Sequence, residues 1–107
     1  NCQSEVLSID ISAIINSFIL HQNHPNPFNP VTSINFTLPK MGLVNIMIYD
    51  MKGRMVKRLL NATREAGYNS IQWNAMNDQN EQVSAGLYLY TIQVGEFRQT
   101  KKMVLLK

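Results

Sequence analysis

The side chains best suited to acid–base or metal chemistry are two histidines, His21 and His24, which stand just ahead of a proline-rich run. A histidine base needs a nucleophile beside it, and no serine or cysteine spacing in the chain forms a nucleophile elbow or a thiol-protease site. The two histidines are therefore expected on a surface loop, and no residue is expected to be catalytic. As metal ligands they would need a second cluster, which the sequence lacks. The single cysteine, Cys2, excludes an intrachain disulfide and a thiolate cluster, and is expected to be an incidental thiol. The segment Asn74 to Glu81 is rich in the oxygens that calcium favours, without the spaced acids and glycine of an EF-hand. The expectation is no cofactor. Structural calcium at that segment, or near Asn26 and Asp50, is the alternative to Asx turns that satisfy their own backbone.

The chain has 107 residues, 45% hydrophobic and 16% charged, which fits one globular domain with one core. Its net charge of +3 is concentrated at one end: Arg98, Lys101, Lys102 and Lys107 fall in the last eleven residues, which contain no acid. That is a basic final strand without interleaved aromatics, and it argues against nucleic-acid binding. The longest apolar stretch, Val6 to Leu20, is broken by Ser8, Asp10, Ser12, Asn16 and Ser17, so no membrane span is expected. The same stretch lacks the basic start of a signal peptide; any export signal is expected upstream of Asn1.

From residue 31 the apolar residues alternate with polar ones, the period of a half-buried strand. Ile34, Phe36 and Leu38 share one face of Val31 to Leu38, and Val44, Ile46 and Ile48 one face of Leu43 to Tyr49. With Pro39 to Gly42 as the turn, the pair is expected to form a hairpin. Asp50 to Gly53 supplies the next turn. Arg54 to Leu60 is expected as a strand despite helix-like spacings (Val56 with Leu60), and a short helical turn can follow in Asn61 to Ala66. Further strands are expected at Tyr68 to Asn74, Gly86 to Val94 and Phe97 to Leu106, with edge strands available at Glu5 to Ile11 and Phe18 to His21. The expected fold is an all-β, immunoglobulin-like antiparallel β-sandwich of about seven strands. Residues 1–20 are expected as an N-terminal arm or the end of a preceding region, and residues 21–107 as the domain.

The run Asn23-His24-Pro25-Asn26-Pro27-Phe28-Asn29-Pro30 holds three prolines in six residues. Prolines at alternate positions restrict the backbone and remove donors, while asparagines close turns with their side chains. It is expected to be an extended, rigid lead-in to the first core strand, with Phe28 plugging the sandwich edge.

This run, followed by Thr32, Ile34 and Phe36, resembles the start of type A C-terminal sorting domains of the bacterial type IX (Por) secretion system. Ile48-Tyr49-Asp50 with Gly53, Arg54 and Val56, then Ala66-Gly67-Tyr68, Trp73-Asn74, Asn77-Asp78, Val83 and Ser84-Ala85-Gly86-Leu87-Tyr88, resemble the family's later motifs in order. The ending, Lys101 to Lys107, resembles its basic and aliphatic terminus. The fold is similar to that of the immunoglobulin-like domain of flagellar hook-capping proteins. Two turns depart from the family: Asn74-Ala75 replaces Asp-Gly, and Asn80-Glu81 stands where a glycine is usual. Altered turn geometry is expected there, because alanine and glutamate disfavour positive φ.

The resemblance implies a non-catalytic domain that is read by the secretion machinery and carries its cargo across the outer membrane to the cell surface. A surface sortase-like peptidase is the second implied partner. The implied recognition residues are Pro25, Asn26, Pro27, Phe28, Asp50, Gly53, Arg54, Gly86, Tyr88, Lys101, Lys102 and Lys107. The alternative is a self-assembling subunit of an extracellular filament or surface layer, in which residues 1–20 add as a strand to a neighbour's sheet.

Overall fold

The computed structural model describes residues 17–106, which fold as seven strands and no helix. They are β1 (Ile19–Leu20), β2 (Thr32–Leu38), β3 (Gly42–Asp50), β4 (Met55–Arg64), β5 (Gly67–Trp73), β6 (Gly86–Val94) and β7 (Phe97–Leu105). A three-stranded sheet, β1-β2-β5, faces a four-stranded sheet, β4-β3-β6-β7, and every strand pair is antiparallel. This is the expected sandwich. Cys2, the edge strand expected at Glu5 to Ile11, most of the 1–20 arm and Lys107 lie outside the described residues.

The core follows from the alternation. Ile34, Phe36 and Leu38 of β2 oppose Val44, Ile46 and Ile48 of β3 and Tyr90, Ile92, Met103 and Leu105 of β6 and β7, all essentially without solvent contact. Each fully buried side chain of this size contributes about 1.5–3 kcal/mol of transfer free energy.

Two local expectations are corrected. β2 and β3 do not form a hairpin: β2 pairs with β1 and β5, β3 with β4 and β6. Both strands have one fully apolar face, and a hairpin would leave both on the same side of one sheet. The connection at residues 39–41 instead arches between sheets, so the two faces meet. The second correction concerns β4, which runs on to Arg64 with no helical turn. Its register against β3 shifts between Ile46 and Met47 and between Ile48 and Tyr49. Each shift inserts an extra residue into β4, which is why Val56, Leu59 and Leu60 reach the core at a spacing that mimics a helix.

Candidate functional site

Apart from Ala66-Gly67-Tyr68, which opens β5 at the other end, the motifs singled out in the sequence converge on one end of the sandwich, where β2, β4 and β6 begin and β3, β5 and β7 finish. Cross-strand pairing sets Asp50 opposite Tyr88, Tyr88 opposite Met103, and Gly86 opposite Leu105. Phe28 sits beside Leu105 in a short parallel bridge. Three aromatic rings close this end of the core: Phe28 lies 5.8 Å from Trp73, and Trp73 meets Tyr88 edge-on at 5.6 Å. The Trp73 indole donates to Met76 O at 2.9 Å, and the Tyr88 hydroxyl donates to Ser84 O. Burial, and secondarily the charge of Asp50, raises the Tyr88 pKa.

The proline-rich run is bent rather than extended, with cis peptide bonds before Pro25, Pro27 and Pro30. Its path is set by polar side chains turned inward. Buried Asn23 donates from Nδ2 to Pro25 O and to Thr32 Oγ1, and Thr32 Oγ1 donates to Pro25 O at 2.9 Å. The Tyr90 hydroxyl accepts from Asn23 N at 2.8 Å and donates to His21 O at 2.9 Å. Burial pushes the Tyr90 pKa up to about 12. Asn23, Thr32 and Tyr90 form a hydrogen-bonded hub that lies outside the recognition residues expected from the sequence; a buried tyrosine requires a partner for its hydroxyl, and that requirement is the sequence signal for it.

The same run seals the outer edge of β7. Lys102 O accepts from Gln22 Nε2 at 2.8 Å, and Val104 N donates to Asn26 Oδ1 at 2.9 Å. Phe28 N donates to Val104 O at 2.9 Å, and Leu106 N donates to Phe28 O at 2.8 Å. Pro25 and Pro27 have no amide to offer, so the asparagine side chain between them and the phenylalanine backbone after them supply the pairing. An edge that would otherwise recruit a foreign strand is thereby occupied.

At the β3–β4 turn, Asp50 is a turn-forming residue. Its Oδ1 accepts from the amides of Lys52 and Arg54 at 2.9 and 3.0 Å, and its Oδ2 from Arg54 Nε at 3.1 Å. The Arg54 amide, with further help from the Lys52 amide and the Arg54 side chain, lowers its pKa against the opposing effect of desolvation. Gly53 takes φ 86°, a left-handed conformation that suits glycine.

Elsewhere the oxygens of the 74–82 loop are engaged locally. Asn77 Oδ1 accepts from the amides of Gln79 and Glu81, and the Asp78 carboxylate accepts from Arg58 N and lies 3.7 Å from Lys57 Nζ. Asp78 thereby covers part of the outer edge of β4. Among the described residues no three His, Cys, Asp or Glu side chains are grouped as a metal site. The turn departures have a different outcome from the one expected. Ala75 itself adopts φ 63°, so the glycine-like geometry is kept at a strain of about 1–2 kcal/mol. In the second turn Asn80, not Glu81, takes the positive φ, and asparagine tolerates it.

The expected recognition residues divide by exposure. Phe28 and Tyr88 are buried. Lys101 and Lys102, adjacent in sequence, point to opposite faces of β7: Lys101 is half-buried on the inner side and Lys102 is exposed on the outer. His21 Nε2 contacts Thr37 Oγ1 at 3.1 Å and its ring packs on Tyr68, while His24 pairs through its backbone with Ser33. A broad open depression of about 890 Å³, lined by Phe18, Leu43 and Phe97 among others, lies at the opposite end and touches none of the motifs.

A family model described as a secretion system C-terminal sorting domain matches residues 22–106. Among solved structures, the chain is similar to dimeric latent PorU from Porphyromonas gingivalis, with a TM-score of 0.67 at 23% identity. That likeness covers 83% of this chain and 9% of PorU. It is also similar to PorZ, an essential surface component of the type IX secretion system of the same organism. There the TM-score is 0.55 at 17% identity, over 87% of this chain and 12% of PorZ. The chain therefore spans only a small part of the length of either protein, and the likeness is one of fold. No curated protein matches it in sequence.

Proposed function

The chain belongs to the secretion system C-terminal sorting domain family, and from that premise we propose that it is a non-catalytic export label of the type IX pathway. It folds as an independent sandwich, is read by the secretion machinery, and carries whatever precedes it across the outer membrane for display at the cell surface. A surface sortase-like peptidase that removes the label is the second partner in this reading. The supporting observation is the sealing of the last strand by the proline-rich run, which joins the family's first motif to its last in one unit. No side chain is required to make or break a bond in this role, and Phe28, Asp50, Gly53 and Tyr88 each have a structural task at the same end of the fold.

The tail is the part to test first. A folded reporter fused to the chain is expected to reach the surface, and the same fusion lacking residues 101–107 to remain in the periplasm. Surface display without the tail would contradict the reading.

One observation favours a second, compatible role in assembly. The outer edge of β5 carries no charge, proline or register shift, unlike the protected edges of β4 and β7. Upstream, Leu7, Ile9 and Ile11 alternate with Ser8, Asp10 and Ser12, a pattern suited to strand addition. Comparing the oligomeric state with and without residues 1–16 tests this: assembly lost on deletion supports it, and an unchanged monomer contradicts it.

A further inference from the structure

The two outer faces of the sandwich differ in chemistry. On the three-stranded sheet, β2 and β5 present Ser33, Asn35, Thr37, Ser70 and Gln72, an uncharged polar surface with the exposed Tyr68 and Ile19 at one end of it, opposite Thr37. The four-stranded sheet presents something else. Met55, Tyr49, Leu89 and Lys102 form one cross-strand row, and Leu87 with Val104 forms a second beside it. These side chains point away from the core, because their neighbours Ile48, Tyr88, Met103 and Leu105 point into it. Met55 and Leu87 are 45% and 44% exposed. With strands about 4.8 Å apart, the apolar rows cover roughly 14 by 7 Å.

The charge on this face has one sign. Arg58 lies opposite Met47 and Arg98 opposite Gln93, on the same side as Lys102. None of the three has an acidic partner among the described residues. The four strands contain one acid, Asp50, whose carboxylate is already held by Lys52 and Arg54. An apolar patch flanked by unpaired cations complements a protein surface that is apolar at its centre and acidic at its rim.

We propose that this face, with Tyr49, Leu87, Leu89 and Val104 at its centre and Lys102, Arg98 and Arg58 around it, docks the domain on an acidic-rimmed protein of the secretion machinery. The inference rests on the export reading and gives it a location. Phe28 and Tyr88 are buried and act by holding the sheet, whereas the neighbours of Tyr88 in sequence, Leu87 and Leu89, make the contact.

The test uses the full 107-residue chain fused to a folded reporter in a host that carries the pathway. Leu87→Ser with Leu89→Ser, and separately Lys102→Glu, are expected to lower surface display about tenfold or more, with the melting temperature of the purified fusion unchanged within a few degrees. Asn35→Lys on the opposite face is expected to have no effect. Undiminished display by both outer-face variants overturns the docking assignment and leaves the export reading standing. If the unsubstituted fusion stays in the periplasm, both fail. Two further measurements on the purified chain bear on the occupant. A monomer–dimer equilibrium abolished by Leu87→Ser with Leu89→Ser would assign the face to a second copy, and flotation on anionic vesicles abolished by it would assign the face to a membrane. Either outcome overturns the docking assignment.

Discussion

Phe28 and Leu105, 77 positions apart in the chain, sit side by side in a parallel bridge in which Phe28 bonds the backbone on both sides of Leu105. The proline-rich motif and the basic terminus are therefore one structural unit. Removing the terminus takes away the partners of Asn26 and Phe28, so a truncation that abolishes export also loosens the fold. Deleting residues 104–107 is expected to lower the melting temperature and to raise amide exchange at Phe28. Asn26→Ala, which removes only the bond to Val104 N, is expected to cost about 0.5–1.5 kcal/mol in denaturant unfolding.

Phe28→Ala leaves a cavity beside Trp73 and Tyr88. The expected loss is about 3–5 kcal/mol, a large share of the stability of a small domain. Equilibrium unfolding followed by Trp73 fluorescence checks it directly, because the indole is the ring next to Phe28.

Tyr90→Phe removes the hydroxyl that joins Asn23 N to His21 O and leaves the buried Asn23 amide and the half-buried His21 carbonyl without that partner. A cost of about 1–3 kcal/mol is expected. The same hydroxyl sets an alkaline limit. Its folded pKa, about 12, lies above the ordinary 10.0, so the folded state holds the proton more tightly. The contribution is complete below pH 10 and is lost as pH rises through 12. Tyr90→Phe is expected to flatten that part of the pH–stability curve.

Asp50 gives the opposite sign. Its folded pKa is lowered below 3.8, chiefly by the Arg54 amide, so its contribution is present above that value and disappears as pH falls through the folded pKa. Asp50→Ala is expected to lower the melting temperature at neutral pH, with the difference from the unsubstituted chain closing as pH falls through the lowered folded pKa of Asp50. A constant difference across the acid range would show that the turn does not depend on the carboxylate charge.

Gly86 starts β6 at φ 145°, a conformation that other residues rarely adopt. An added Cβ meets no atom within 4 Å, so any cost of Gly86→Ala arises from the backbone alone. About 1–3 kcal/mol is expected in denaturant unfolding.

The sandwich was legible because alternation survives wherever a strand lies flat against one core. Ile34, Phe36 and Leu38, or Tyr88, Tyr90 and Ile92, announce themselves by period alone. Pairing was less legible: Pro39 to Gly42 marks a turn equally well whether the strands it joins pair or face each other across the core, and only the need to bury both apolar faces distinguishes the two. In β4 the register shifts disguised a strand as helix-like spacing. At the candidate site, family motifs drew the eye to Phe28 and Tyr88, whose large rings are wanted inside. The outer residues Leu87, Leu89 and Tyr49 were hidden because an exposed apolar side chain has the same letter as a buried one. Only the register places them beside Lys102.

The central claim, that this sandwich is an export label, is met most directly by one measurement. The full chain is fused to a folded fluorescent reporter and expressed in a host with an intact type IX pathway and in the same host lacking it, and reporter accessibility to external protease is compared. Digestion of the reporter in intact cells of the first host and protection in the second is the predicted result. Equal protection in both would contradict the account.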